Sequence, residues 1–202
     1  MSNEAIIATL TKLAKANPTR GAFNRAVANK FIKIGAGCFR MVFDAGDVVI
    51  KVRRATPIRE NPFPMEKIDK SNRDEAKAYA SLIKCQPTLA TFVLPSTLVK
   101  LPNGHDAIIM EKVDAVWENM DQDDVTSNNH FLHNQIQVIQ MAFQDGHDAN
   151  VGVKGNRAFL IDLNFYDRWN LDSEELAFIR KVANGVKAAL EKSAPLLMEA
   201  AA

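Results

Sequence analysis

The chain of 202 residues carries 25 basic and 24 acidic side chains, a net charge of +1, and 47% hydrophobic residues. That composition supplies a core for one compact domain or two small lobes. The charge balance excludes a global electrostatic attraction to nucleic acid or to an anionic membrane.

No apolar run approaches the ~18 residues that would suggest a membrane span. The stretch Met1–Lys15 holds Glu4 and no uninterrupted apolar segment, so it does not read as a signal peptide. Cys38 and Cys85 lack metal-ligand spacing; reduced thiols and a cytoplasmic location are the expectation.

In chain order, Ile6, Ile7, Leu10 and Leu13 recur at helical spacing and predict an amphipathic helix over 4–15, stopped by Asn17-Pro18. A second helix is expected from Arg20 to Asn29, with packing as its role. Phe31–Ile34 reads as a strand, Gly35-Ala36-Gly37-Cys38-Phe39 as a glycine-bearing turn, and Arg40–Asp44 as a second strand. After the turn Asp44–Asp47, Val48–Val52 is a β-branched third strand ending near Lys51. Glycines without a Cβ let backbone N–H groups approach an anion closely, and a lysine on the next hairpin can meet phosphate oxygens. A lone GxG is more often a plain turn, and the alternative for Lys51 is a solvated edge lysine, which a buried face shared with Val49 would disfavour.

Ala55–Pro64, with its three prolines, is an extended connector. Met65–Lys84 follows as a helix whose apolar face holds Ile68, Ala76, Tyr79, Ala80, Leu82 and Ile83. Glu75 in its middle belongs either to a charged helix face or to a pair with Lys51. Two strands, Phe92–Lys100 and Asp106–Val113, flank the turn Pro102-Asn103-Gly104-His105, and Asp114–Asp124 is a polar connector. The composition shift there is the lobe boundary, giving an N-terminal helical extension over 1–30, one lobe over 31–113 and a second over 114–202. Val125–Gln144 reads as one helix through Leu132, Ile136, Ile139 and Phe143, with His130 and His133 structural or exposed.

That helix delivers the chain to Asp145-Gly146-His147-Asp148-Ala149-Asn150, a D-x-H-x-x-N run. A hairpin turning at Lys154-Gly155-Asn156-Arg157 then leads to Asp162, twelve positions after Asn150. The hairpin would bring Asn150 and Asp162 to one end of two adjacent strands, beside Asp145. Two carboxylates and an amide oxygen suit Mg²⁺, with one carboxylate left to orient a hydroxyl nucleophile. The same residue types also make ordinary surface turns. A loop with Tyr166, Arg168 and Trp169 follows. Asp172-Ser173 then caps a last helix with Leu176, Ile179, Val182, Val186 and Leu190 on its apolar face and Lys187 and Lys192 near its end.

In this order residues 31–165 resemble the protein kinase fold, and more specifically the small Ser/Thr kinase-like proteins of bacteriophages, including those of T7-like phages. The implied architecture is α+β: a minimal bilobal kinase-like fold with an antiparallel-sheet N-lobe, one main helix and a truncated helical C-lobe. The resemblance implies ATP and Mg²⁺ as cofactors and a host protein as substrate or target. On it, Gly35, Ala36, Gly37, Cys38, Phe39 and Val42 cover the nucleotide, Lys51 holds its phosphates and Glu75 positions Lys51. Met110, Glu111 and Val113 fall where adenine is bound. Asp145 matches the catalytic aspartate, and Asn150 and Asp162 the metal ligands. His147 stands where the family has a lysine and is either a γ-phosphate contact or structural. Departures are plain. Arg40 replaces the third loop glycine, Phe143-Gln144 replaces His-Arg, and Leu163-Asn164 follows Asp162 in place of Phe-Gly. Only 40 residues follow Asp162. The competing readings are a small-molecule phosphotransferase and a kinase-like binder that blocks a host factor without catalysis.

Overall fold

The computed structural model describes residues 1–58, 64–163 and 171–199, with side chains in the last helix described to Glu191. Pro62, Asn164, Tyr166, Arg168, Trp169, the Lys192 side chain and the tail through Ala202 lie outside the described residues. The chain divides into two compact units: Met1–Tyr79 with Pro95–Lys112, and Ala80–Leu94 with Val113–Ala202.

The first unit opens with helices α1 (Asn3–Ala16) and α2 (Arg20–Lys30), capped at their N-termini by the hydroxyls of Ser2 and Thr19. Strands β1 (Ile32–Ala36), β2 (Arg40–Asp44), β3 (Val48–Arg53), β4 (Ser96–Lys100) and β5 (Asp106–Glu111) form one antiparallel sheet in the order β1-β2-β3-β5-β4. Helix α3 (Met65–Cys85) leaves this unit at its last turns.

Alternation along β3 sorts the sheet into two faces. Ile50 and Val52, opposite Phe43 and Met41, join Ile6, Leu10, Ala14, Phe23 and Val27 in one apolar core. Residues 1–30 thus complete the core of the sheet. His105 stacks on Phe23 with ring centroids 4.6 Å apart and lies 3.1 Å from the Asn17 carbonyl, fixing the α1–α2 corner.

The other face is polar and equally buried. Ile68, Asn72 and Glu75 line up on α3 and are inaccessible to solvent. Asn72 donates to Asp106 at 2.9 Å, Arg53 pairs with Asp106 at 2.8 Å, and Arg53 donates to the Asp69 and Gly104 carbonyls. Ile68 and Leu82 from the expected apolar stripe are buried, whereas Ile83 is exposed.

The second unit holds α4 (Pro87–Ala90), α5 (Gln122–Asn128), α6 (His130–Ala142) and α7 (Ser173–Glu199). Its three-stranded antiparallel sheet is ordered β6 (Ala115–Val116), β7 (Val151–Lys154), β8 (Arg157–Leu160). Gln135 on α6 is fully buried and grips the β7–β8 hairpin: its Oε1 accepts from Ala158 N at 3.3 Å and its Nε2 donates to Asn156 O at 3.2 Å. Asp114 Oδ2 accepts from Gly155 N at 2.7 Å, and Gly155 takes the left-handed φ of 54° that the turn needs. Asp172 caps α7 by accepting from Glu174 N and Glu175 N.

Several boundaries differ from the sequence reading. The helix expected over Val125–Gln144 is broken at Asn129, whose side chain caps α6 through Leu132 N and whose φ/ψ of −133°/67° is not helical. The connector 114–124 contains β6 and a buried Trp117. The strand expected from Phe92 begins at Ser96, after Pro95; Phe92 and Leu94 instead bond to Leu160 in the second unit. Leu190 is exposed, not part of the buried stripe of Ile179, Val182 and Val186. His130 is exposed, and His133 lies 3.4 Å from Thr126.

The architecture is α+β with an antiparallel N-terminal sheet and helices. Among the described residues no helix is long and apolar enough to cross a membrane.

Candidate active site residues

In the first unit, Gly35, Val42, Lys51 and Ile108 stand opposite one another in consecutive strands, a single row across the sheet. Lys51 is the charged member of that row and is only 5% exposed, so it is not a solvated edge lysine. Its Nζ lies 3.2 Å from Glu75 Oε1 and 3.4 Å from Oε2. The pair expected between β3 and α3 is therefore present. Arg40 Nη1 also donates to Glu75 Oε2, and Arg40 and Glu75 are each 4% exposed. The carboxylate thus holds two cations, one on each strand of the β2–β3 hairpin. Neither periodicity nor spacing revealed Arg40 or Ile108 as neighbours of Lys51. Arg40 was visible only as a departure from glycine.

The glycine turn is tighter than the five residues expected. Gly35 and Ala36 continue β1, leaving Gly37-Cys38-Phe39 as the loop. Gly37 N donates to Arg40 O at 2.9 Å, so this amide closes the turn and is not offered to an anion. Arg54 holds the loop from the side, its N donating to Phe39 O at 2.8 Å and its Nε to Gly37 O at 2.5 Å. Gly37 does not take a left-handed φ, and a Cβ built on it meets nothing within 4 Å. The fold does not require glycine there, while the open space above it suits a close-lying ligand. Gly37→Ala should leave the melting temperature unchanged or slightly raised, because alanine narrows the unfolded ensemble. A phosphate-bearing ligand lying against the loop should bind that variant more weakly than the wild type. Calorimetric titration beside thermal melting checks both.

Met110 is buried on β5, Glu111 is exposed at its end, and Val113 is half-buried. Lys112 N donates to Asp47 O at 2.9 Å and its Nζ pairs with Asp44 at 2.6 Å. Lys112 and a backbone N–H of the β2–β3 turn hold the Asp44 carboxyl below its usual range.

In the second unit, Val151 opposes Leu160 and Ile161 N donates to Asn150 O at 2.9 Å. The ladder therefore sets Asn150 and Ile161 side by side, with Asp162 one residue on. The run 145–150 folds back on itself through a short 3₁₀ turn over Asp148–Asn150. Asn150 Nδ2 donates to Asp145 O and to His147 Nε2, both at 3.1 Å. Both amide hydrogens of Asn150 are thereby directed into the loop, which presents Oδ1 away from it. His147 Nε2 is 4.0 Å from Asp145 Oδ1, and its ring is largely exposed.

Two glutamines brace the run. Gln140 Nε2 donates to Asp148 Oδ1 at 2.8 Å and Gln122 Nε2 to Asp148 Oδ2 at 3.2 Å. Asp148, Gln122 and Gln140 were not singled out from sequence, since a surface aspartate flanked by distant glutamines leaves no pattern.

Asn150 Oδ1 and the partly exposed Asp162 carboxylate are hard oxygen donors of the kind Mg²⁺ takes. Among the described residues no group of three or more His, Cys, Asp or Glu could hold a metal by itself.

No family model matches the chain, and no curated protein does. Among solved structures the chain is similar to the Legionella pneumophila kinase Lpg2603 bound to IP6, with a TM-score of 0.41 and 15% identity. The match covers 78% of this chain and 58% of that one, so the chain spans less than two thirds of the length of that kinase.

Proposed function

We propose that the chain is an ATP- and Mg²⁺-dependent phosphotransferase, a small phage-type Ser/Thr protein kinase that acts on host proteins in the host cytoplasm. The observation that carries this reading is the buried Lys51–Glu75 pair. Burying a lysine is costly unless it is paired and put to use, and this one sits in the sheet row that begins at the glycine-bearing strand. The phage origin and the protein acceptor follow from the sequence resemblance of residues 31–165.

In this reading Lys51 binds the α- and β-phosphates and Glu75 fixes its ammonium. Gly35–Phe39 and Val42 cover the nucleotide, and Met110, Glu111 and Val113 receive the adenine. Asn150 and Asp162 hold Mg²⁺, which when bound neutralises charge on the transferred phosphoryl group. Asp145 orients the acceptor hydroxyl and takes its proton. His147 keeps the Asn150 amide turned so that Oδ1 is the ligand atom. Catalysis comes from positioning and charge neutralisation.

The test is transfer of label from γ-labelled ATP with Mg²⁺, alone and with bacterial lysate, beside Asp145→Asn. Label on protein bands that disappears in Asp145→Asn is the expected result. ATP binding without labelled protein would replace the protein acceptor with a small molecule or leave a nucleotide-dependent binder. Absence of ATP binding would overturn the enzyme reading.

A further inference from the structure

We infer that Arg40 is a positioning residue that couples the glycine loop to the Lys51–Glu75 pair; the inference rests on the nucleotide-binding reading of that pair. Arg40 occupies the point where the loop becomes β2. Its carbonyl accepts the Gly37 N–H that closes the loop, at 2.9 Å. Its guanidinium donates to Glu75 Oε2 on α3, while Lys51 lies nearest Oε1 at 3.2 Å. Lys51 also lies 3.4 Å from Oε2, so that oxygen is shared by both cations and the Glu75 carboxylate is held by β2 and β3 together. All three residues are at most 5% exposed, so solvent weakens these contacts little.

A glycine at this position, as in the kinases the sequence resembles, has no side chain to reach α3. Here any displacement of Gly37–Phe39 pulls on Glu75, and any movement of α3 pulls on the loop. Arg40 also takes a share of the Glu75 charge, so Lys51 is oriented by Glu75 without being neutralised by it alone. Both effects favour a phosphate held by Lys51 beneath the loop. Lysine cannot substitute fully, because a point charge lacks the planar fork that reaches a carboxylate oxygen in one fixed direction.

The experiment is calorimetric titration of Mg-ATP into four full-length proteins: the wild type, Arg40→Met, Glu75→Gln and the double variant. Lys51→Met is the control for the nucleotide reading. Arg40→Met should raise Kd about 10- to 100-fold, the range seen when a group that orients a ligand is lost. In the Glu75→Gln background the same change should have no further effect, because Arg40 acts through that carboxylate. An unchanged Kd in Arg40→Met, or an effect that adds fully to that of Glu75→Gln, overturns the inference while Lys51→Met still loses binding. If Lys51→Met binds Mg-ATP as tightly as the wild type, the nucleotide reading itself fails. Should Arg40→Met not fold, Arg40→Lys carries the same cycle, with a smaller rise expected and the same loss of effect in Glu75→Gln.

Discussion

Asp162→Ala is expected to abolish phosphoryl transfer while the protein stays folded. The Asp162 carboxylate is partly exposed and sits beyond the last β7–β8 rung, whose geometry is set by backbone. The Ile161 N–Asn150 O bond and the Val151–Leu160 pairing survive loss of that side chain. In the proposed reaction Asp162 contributes a full negative charge to Mg²⁺ at the transferring phosphoryl group. Losing one such electrostatic contribution costs at least about 10²–10³ in turnover, or roughly 3–4 kcal/mol in the barrier. The check is label transfer at saturating Mg-ATP beside thermal melting of the same preparation. Turnover near the wild-type rate would remove Asp162 from the metal site. A collapsed melting transition would show instead a structural requirement at this position.

The parts of this molecule that were legible in sequence are those that local chemistry decides. The β7–β8 turn was readable because Gly155 accepts a left-handed φ, and the turn before β5 because Asn103 and Gly104 do, at 60° and 71°. The Lys51–Glu75 pair was expected through the resemblance, since a strand lysine and a helix glutamate 24 residues apart have no local signature of their own. The break at Asn129 was missed because apolar spacing runs across it: Val125, Leu132 and Ile136 stay buried on both sides. An asparagine that caps one helix while ending another does not disturb the period. The polar face between sheet and α3 was missed for a related reason. Asn72 resembles a solvated helix residue until Asp106 is seen opposite it, and Arg40 a solvated strand residue until Glu75 is. Such partners are set by tertiary packing, which spacing along one helix does not encode.

Gly146→Ala is the substitution expected to damage both folding and catalysis. Gly146 follows Asp145 directly, and its N donates to Phe143 O at 3.0 Å as the chain leaves α6. A Cβ here would lie 2.4 Å from Ile139 O, 2.9 Å from Ile139 C and 3.0 Å from Gln140 Cα. All three are backbone atoms of α6, and Ile139 O already accepts from Phe143 N. No rotamer can relieve the contact, so either the last turn of α6 opens or the run 145–150 moves away from it. Overpacking of this kind costs about 1–3 kcal/mol, a fall in melting temperature of roughly 3–10 °C for a chain this size. In the proposed reaction, displacement of Asp145 by about 1 Å would add a loss of order 10²-fold in turnover. Gly185→Ala is the matched control: it sits inside α7, where the nearest atom to a Cβ is Phe131 Cε2 at an ordinary 3.8 Å. Helix propensity there favours alanine by about 1 kcal/mol, so the melting temperature should rise. Melting both variants side by side separates the close approach at Gly146 from any general effect of removing a glycine. Equal melting temperatures for Gly146→Ala and the wild type would mean that α6 does not support the loop that carries Asp145.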